Sequence, residues 1–181
     1  GGIVTACTLV VDAYGKFGGR VFKDTTTVMT YNGMGAGSGF VISPATLASG
    51  NYNSAMGKYA LYSNTTGTKN SAVGNQALYY NTTGNWNSAV GNDALSSNTT
   101  GDYNTAVGSE ALYDNTSGDN NSAVGYLALY ENTTGSNNAA MGVNALNNNT
   151  TGDNNSAVGS YSLYENTTTV NTFGAITGGS G

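Results

Sequence analysis

Between residues 50 and 168 the apolar positions return every 17 residues. Alanine stands at 55, 72, 89, 106, 123, 140 and 157, followed by Met56, Val73, Val90, Val107, Val124, Met141 and Val158 and then by glycine at 57, 74, 91, 108, 125, 142 and 159. Later in each unit come Leu61, Leu78, Leu95, Leu112, Leu129, Leu146 and Leu163. A fixed period this short marks a solenoid, whose units bury their apolar positions only by stacking on one another. One small and two larger apolar residues per unit make a core too thin for a globular domain of this length. Function is therefore to be sought along a rod and not in a cleft.

Each apolar patch is cut off within a few residues by Asn-Thr-Thr-Gly, which leaves runs far below a stable helical length. The expected unit is a coil with two short strands, one centred on Ser-Ala-Val and one on Ala-Leu-Tyr. Strand alternation would point Val73, Leu78, Val90, Leu95, Val107, Leu112, Val124 and Leu129 into the interior and turn Ala72 and Ala77 outward. The fold class is thus all-β: a β-solenoid of about seven coils rising ~4.8 Å each, a rod of about 34 Å. So little interior apolar area favours a homotrimer, with the small, uncharged Ala72 column near its axis.

The turn ladder is formed by Asn81, Asn98, Asn115, Asn132 and Asn149, with Asn64 and Asn166 at its ends. Glycine supplies the turn conformation and asparagine satisfies backbone groups, and stacked asparagines can add an amide ladder. The same residues are formal N-glycosylation acceptors, although a turn requirement accounts for them without sugar. Tyrosine recurs at 62, 79, 113, 130 and 164 but gives way to Ser96 and Asn147, as expected of a half-buried aromatic file and not of one continuous ligand site. Trp86 and Tyr103 share the variable column after the turn and are the candidate exposed contacts. A threonine file invites an ice-binding alternative, weakened by the aspartates at 102, 119 and 153 beside it.

Outside the array, residues 1–49 read as a β-rich assembly or adapter segment, with strand candidates at 3–11, 20–22 and 25–31 and a tight turn at Asn32-Gly33. Residues 169–181 read as a Gly/Thr-rich tail or connecting strand. The opening Gly1-Gly2 suggests a processed chain or a fragment. All five basic residues lie at or before Lys69 and the net charge is −5, which argues against nucleic acid as a partner of the array. No stretch is apolar enough for a membrane span. Cys7 has no second cysteine to pair with, and it sits in an apolar strand candidate. With no histidine in the chain, no catalytic residues are expected, and no enzyme activity, cofactor or metal site. Asp114 with Glu131, and the aspartates beside the turn, read as solvated charge.

The Asn-Ser-Ala-Val-Gly…Ala-Leu-Tyr unit, with Ala72, Val73 and Gly74 and their equivalents at intervals of 17, resembles the head repeats of YadA-like trimeric autotransporter adhesins and the longer-period repeats of bacteriophage tail fibres. In such heads left-handed β-rolls pack three around an axis. The longer unit with Asn-Thr-Thr-Gly and the lack of a heptad stalk or membrane anchor set this chain apart. The resemblance implies a structural fibre protein, extracellular, on a cell surface or on a virion, giving reach and attachment. Self-association is expected as a homotrimer or a head-to-tail filament, and host-surface carbohydrate is the candidate ligand. The alternatives are a self-polymerising filament subunit with no specific ligand and an ice- or carbohydrate-binding solenoid.

Overall fold

The computed structural model describes residues 52–166 and the backbone of one further strand, 173–175. The segment 1–49 with its strand candidates and Cys7, and most of the tail, lie outside the described residues. Eight three-residue strands form one parallel sheet in chain order: β1 (Ser54–Met56), β2 (Ser71–Val73), β3 (Ser88–Val90), β4 (Thr105–Val107), β5 (Ser122–Val124), β6 (Ala139–Met141), β7 (Ser156–Val158) and β8 (Phe173–Ala175). Every pairing is in the 17-residue register, from Ala55 opposite Ala72 to Ser156 opposite Phe173. The eighth rung is laid by Phe-Gly-Ala, residues that no longer spell the repeat. The described residues therefore form an all-β parallel solenoid.

Two expectations about the coil are corrected. First, the valines of the strands point out, not in. Ala72, Ala89, Ala106 and Ala123 are fully buried, whereas Val73, Val90, Val107 and Val124 stand 36–41% exposed. Strand alternation holds with the opposite sense, because the interior opposite the strand is already filled. Each coil encloses a leucine, a second alanine and two asparagines, such as Leu78, Ala77, Asn81 and Asn87. Only a methyl group fits in the space that remains, so hydrophobicity alone misplaces the larger side chain.

Second, Ala-Leu-Tyr is a turn and not a strand. Leu78 has φ +53° and its equivalents from Leu61 to Leu163 lie between +49° and +53°, in the left-handed region. Adjacent Ala77 and Leu78 are both fully buried, which the alternation of a strand forbids and a left-handed bend allows. Two more non-glycine residues per coil share that conformation, as at Gln76 (+56°) and Trp86 (+58°). Each costs about 1–2 kcal/mol in isolation.

Hydrogen bonds between coils hold these bends, for the backbone ladder continues around the turns: Leu78 N–H donates to Ala94 O (3.0 Å), Tyr80 N–H to Ser96 O (2.9 Å) and Trp86 N–H to Thr68 O (3.0 Å).

The glycine after each strand is set by geometry. Gly91 has φ +146°, and a Cβ there would lie 2.2 Å from the carbonyl oxygen of Gly108 in the next coil. Replacing Leu95 by alanine should cost ~2–5 kcal/mol through lost burial and a cavity. Gly91→Ala should cost more, since neither its backbone nor the carbonyl it meets can move without opening the sheet. Thermal unfolding followed by far-UV circular dichroism checks both, and a Gly91→Ala rod as stable as the parent would contradict the stacking geometry.

Candidate functional site

Inside the coil, two asparagine columns converge on one carbonyl. In the first, Asn81 Nδ2 donates to Asn64 Oδ1 (2.8 Å), Asn98 to Asn81 (2.7 Å), Asn115 to Asn98 (2.9 Å), Asn132 to Asn115 (2.9 Å) and Asn149 to Asn132 (3.0 Å). The second column runs through Asn70, Asn87, Asn104, Asn121 and Asn138. The backbone N–H of Asn87 donates to Asn70 Oδ1 (2.9 Å), while Asn70 Nδ2 donates to Gly84 O (2.7 Å). That same oxygen also accepts from Asn81 Nδ2 (3.0 Å). Among the described residues no buried side-chain nitrogen or oxygen lacks a partner.

Sequence reasoning assigned no role to the second column. Its signal was present, for asparagine never varies at 53, 70, 87, 104, 121, 138 or 155 while exposed columns drift.

A third column lies just outside the coil. The aspartates beside the turn, expected to be merely solvated, accept backbone donors of the preceding coil. Asp102 Oδ1 accepts from Asn85 N–H (2.6 Å), Asp119 Oδ1 from Asp102 N–H (2.7 Å) and Asp153 Oδ1 from Ser136 N–H (2.7 Å). Asn85 and Ser136 do the same for Thr68 and Asp119. The column tolerates Asn, Asp and Ser because each offers an oxygen at the required reach.

The residue that follows is turned outward by its left-handed backbone. Here stand Lys69, Trp86 and Tyr103. Trp86 is 49% and Tyr103 56% exposed, and their rings stack with centroids 6.1 Å apart and planes 10° from parallel. Lys69 Nζ lies 3.8 Å from the Trp86 ring centroid, a cation–π contact that closes one end of the ridge. Beyond Tyr103 the column continues as Asn120, Asn137 and Asn154. The structure thus brings both candidate contact residues together as one flat aromatic ridge about two coils long.

The outward face of the sheet is different. Met56, Val73, Val90, Val107, Val124, Met141 and Val158 form a stripe 36–56% exposed along the entire array. Tyrosines occupy a further column in two stacked pairs, Tyr62–Tyr79 (5.2 Å) and Tyr113–Tyr130 (5.3 Å), cut by the buried Ser96 and Asn147. Beside the second pair, burial pushes the Asp114 carboxyl above its ordinary range. Tyr113 is likewise raised, by desolvation first and then by Asp93, Asp114 and Glu110. Among the described residues no group of three or more His, Cys, Asp or Glu side chains is placed to hold a metal ion, and no helix is long and apolar enough to cross a membrane.

Three outcomes follow from these columns. Asn98→Ala strips Asn81 Oδ1 of its buried donor and should cost ~1–3 kcal/mol. Thr134→Ala, exposed in the equivalent turn two coils on, should stay within about 0.5 kcal/mol in the same denaturation series. The amide nitrogens of Asn81, Asn98, Asn115 and Asn132 are buried and engaged, so the folded rod should carry no N-linked glycan at these sites. Secretion from a glycosylating host and intact-mass measurement test this; a glycan on Asn98 in a cooperatively folded rod would refute it.

Asp114 carries a pH dependence. Its carboxyl is raised in the fold, so the rod favours the protonated form. The destabilisation is present above the folded value and is relieved as pH falls through that value towards the ordinary carboxylate range. Asp114→Asn, isosteric with Asn148 of the same column, should raise the melting temperature at neutral pH, and the gain should vanish in acid.

Comparison of the chain with protein-family models, with curated proteins and with solved structures yields no match, so what the molecule is rests on its geometry: an all-β parallel solenoid of the general β-helix repeat kind.

Proposed function

We propose that this chain is a structural segment of an extracellular or virion fibre, whose work is mechanical reach and surface attachment without catalysis. The observation that carries the proposal is the division between fixed and free columns. Interior Ala, Leu, Asn and Gly hardly change from coil to coil, while outward neighbours such as Asn75-Gln76, Asn92-Asp93, Ser109-Glu110 and Tyr126-Leu127 vary freely. A scaffold constrains its inside and leaves its surface open to drift.

Attachment is assigned to the Trp86–Tyr103 ridge. Flat, exposed aromatic faces suit the apolar face of a sugar ring, and the Asn120 column beside them offers amides to its hydroxyls. The ligand class is surface carbohydrate, and multiple copies in one fibre would multiply a weak contact. Trp86→Ala with Tyr103→Ala should lower binding to host cells or to an immobilised glycan panel at least ~10-fold through lost stacking and avidity. Unchanged binding would remove the ridge as the contact.

Self-association is assigned to the valine stripe, replacing the alanine column as the face near a trimer axis. The Ser71, Val73 and Asn75 columns hold no charged residue after Lys58. With seven coils at ~4.8 Å and a width of roughly 20 Å, the face offers on the order of 700 Å², close to the ~800 Å² per partner of a specific interface. Its rungs repeat at the coil spacing, so a second copy of the chain is the partner that meets all of them. The second reading, a self-polymerising filament with no ligand, draws on the same stripe. Val90→Glu with Val107→Glu should leave the coil folded and shift sedimentation to an 18.3 kDa particle. A parent chain that is itself monomeric at micromolar concentration would overturn this part.

A further inference from the structure

The tyrosine column has no part in attachment or in the valine face, yet its geometry is unusual within the rod. We propose that Tyr62–Tyr79 and Tyr113–Tyr130 are the positions at which adjacent coils become covalently stapled as dityrosine when the rod meets a peroxidase and hydrogen peroxide. The proposal rests on the reading of the chain as a fibre exposed to such oxidants, but its chemistry depends only on the coil.

In-register parallel stacking places equivalent side chains of consecutive coils over one another. The ring centroids are 5.2 Å apart in the first pair and 5.3 Å in the second, with planes 12° and 10° from parallel. Equivalent rings from equivalent positions bring like edges side by side, including the carbons next to the phenol oxygens. The other aromatic contacts lack this. Tyr59 meets Tyr62 and Tyr79 edge-on at 82° and 87°, Tyr80 meets Tyr79 edge-on at 77°, Tyr161 and Tyr164 are tilted at 45°, and Tyr103 stacks on tryptophan. Ser96 and Asn147 interrupt the file, so each ring of a pair has one tyrosine stacked on it face to face, and the further neighbours of the first pair, Tyr59 and Tyr80, meet it only edge-on. Both pairs are partly exposed, which admits an oxidant, while the backbone ladder holds the partners in place: Tyr79 O accepts from Ser63 N–H and Tyr130 O from Asp114 N–H.

The reaction balances within the pair. Each phenol loses one electron and one proton to give a tyrosyl radical. The two radicals join through a carbon–carbon bond between the positions ortho to oxygen, and each ring returns its displaced ortho hydrogen to oxygen, restoring two phenols. Hydrogen peroxide takes up the two electrons and two protons and leaves as two waters, so the chain loses two hydrogen atoms. At the second pair Asp93, Glu110 and Asp114 surround Tyr113, and Asp114, Glu110 and Glu131 lie around Tyr130. Those carboxylates are at hand to take the proton released on oxidation.

The test uses the full folded chain, dilute, with a haem peroxidase and hydrogen peroxide. Lys69 lies between Tyr62 and Tyr79, and Asp114 and Asp119 lie between Tyr113 and Tyr130. Cleavage at lysine and at aspartate therefore separates the partners, and a staple appears as two joined peptides lighter by two hydrogens. These two links should exceed every other tyrosine cross-link by at least ~10-fold, since partners held in contact react as an intramolecular pair. The preference should disappear in guanidinium. Tyr79→Phe and Tyr130→Phe keep the ring stack and should each abolish one link alone. Cross-links dominated by Tyr59, Tyr80, Tyr126 or Tyr161, or equal yields in the unfolded chain, would overturn the proposal. Neither result depends on sugar binding or on the valine face, so failure here is distinguishable from failure of the proposed function.

Discussion

Everything in this rod depends on keeping polar groups satisfied in an interior that holds two asparagines in each coil. A coil with three left-handed residues and very short strands cannot pair its backbone as an ordinary sheet does. The two asparagine columns supply what is missing, meeting at carbonyls such as Gly84 O and leaving no buried side-chain donor or acceptor unpaired among the described residues. A buried amide is costly when alone and favourable when complete, so the interior is stable only as a stack. This is why the repeat is so strict: a column broken at one rung exposes the rungs on either side. The leucine file adds apolar burial to a frame that hydrogen bonds define.

The same requirement sorts the remaining columns. Positions that touch the next coil's backbone, such as Gly91 and Asn87, admit one residue type. Positions that need only an oxygen at the right reach admit Asn, Asp or Ser, as at 85, 102 and 136. Positions facing solvent drift, and there the distinctive chemistry gathers: the Trp86–Tyr103 ridge, the valine stripe and the paired tyrosines. Function on such a molecule is a property of columns, whose members cooperate because the coil spacing brings them into contact.

Much of this was legible in the sequence. The period gave the solenoid, the in-register stack and the burial of Leu78 and its equivalents, and the variable column after the turn located Trp86 and Tyr103 on the outside. The sense of the strand was not legible. Hydrophobicity ranks valine above alanine for the interior, but Ala72 is inside because Asn87, Asn81 and Leu78 already fill the coil. Nor was the bend at Leu78 legible, since leucine carries no local preference for a left-handed backbone and takes it here only because neighbouring coils impose it. Asparagine was legible as a turn residue at 81. At 87 the same residue type inside an apparent strand leader gave no clue to burial except its constancy.

The asparagine ladder also gives the rod a direction. Each side-chain amide in the Asn81 column offers its hydrogens to the coil before and its oxygen to the coil after, and the Asn87 column turns its oxygens the same way. Aligned amides of this kind add their dipoles, as peptide units do along a helix. Within these two columns one end presents side-chain donors and the other side-chain acceptors, so a severed rod can be rejoined rung to rung in a single orientation.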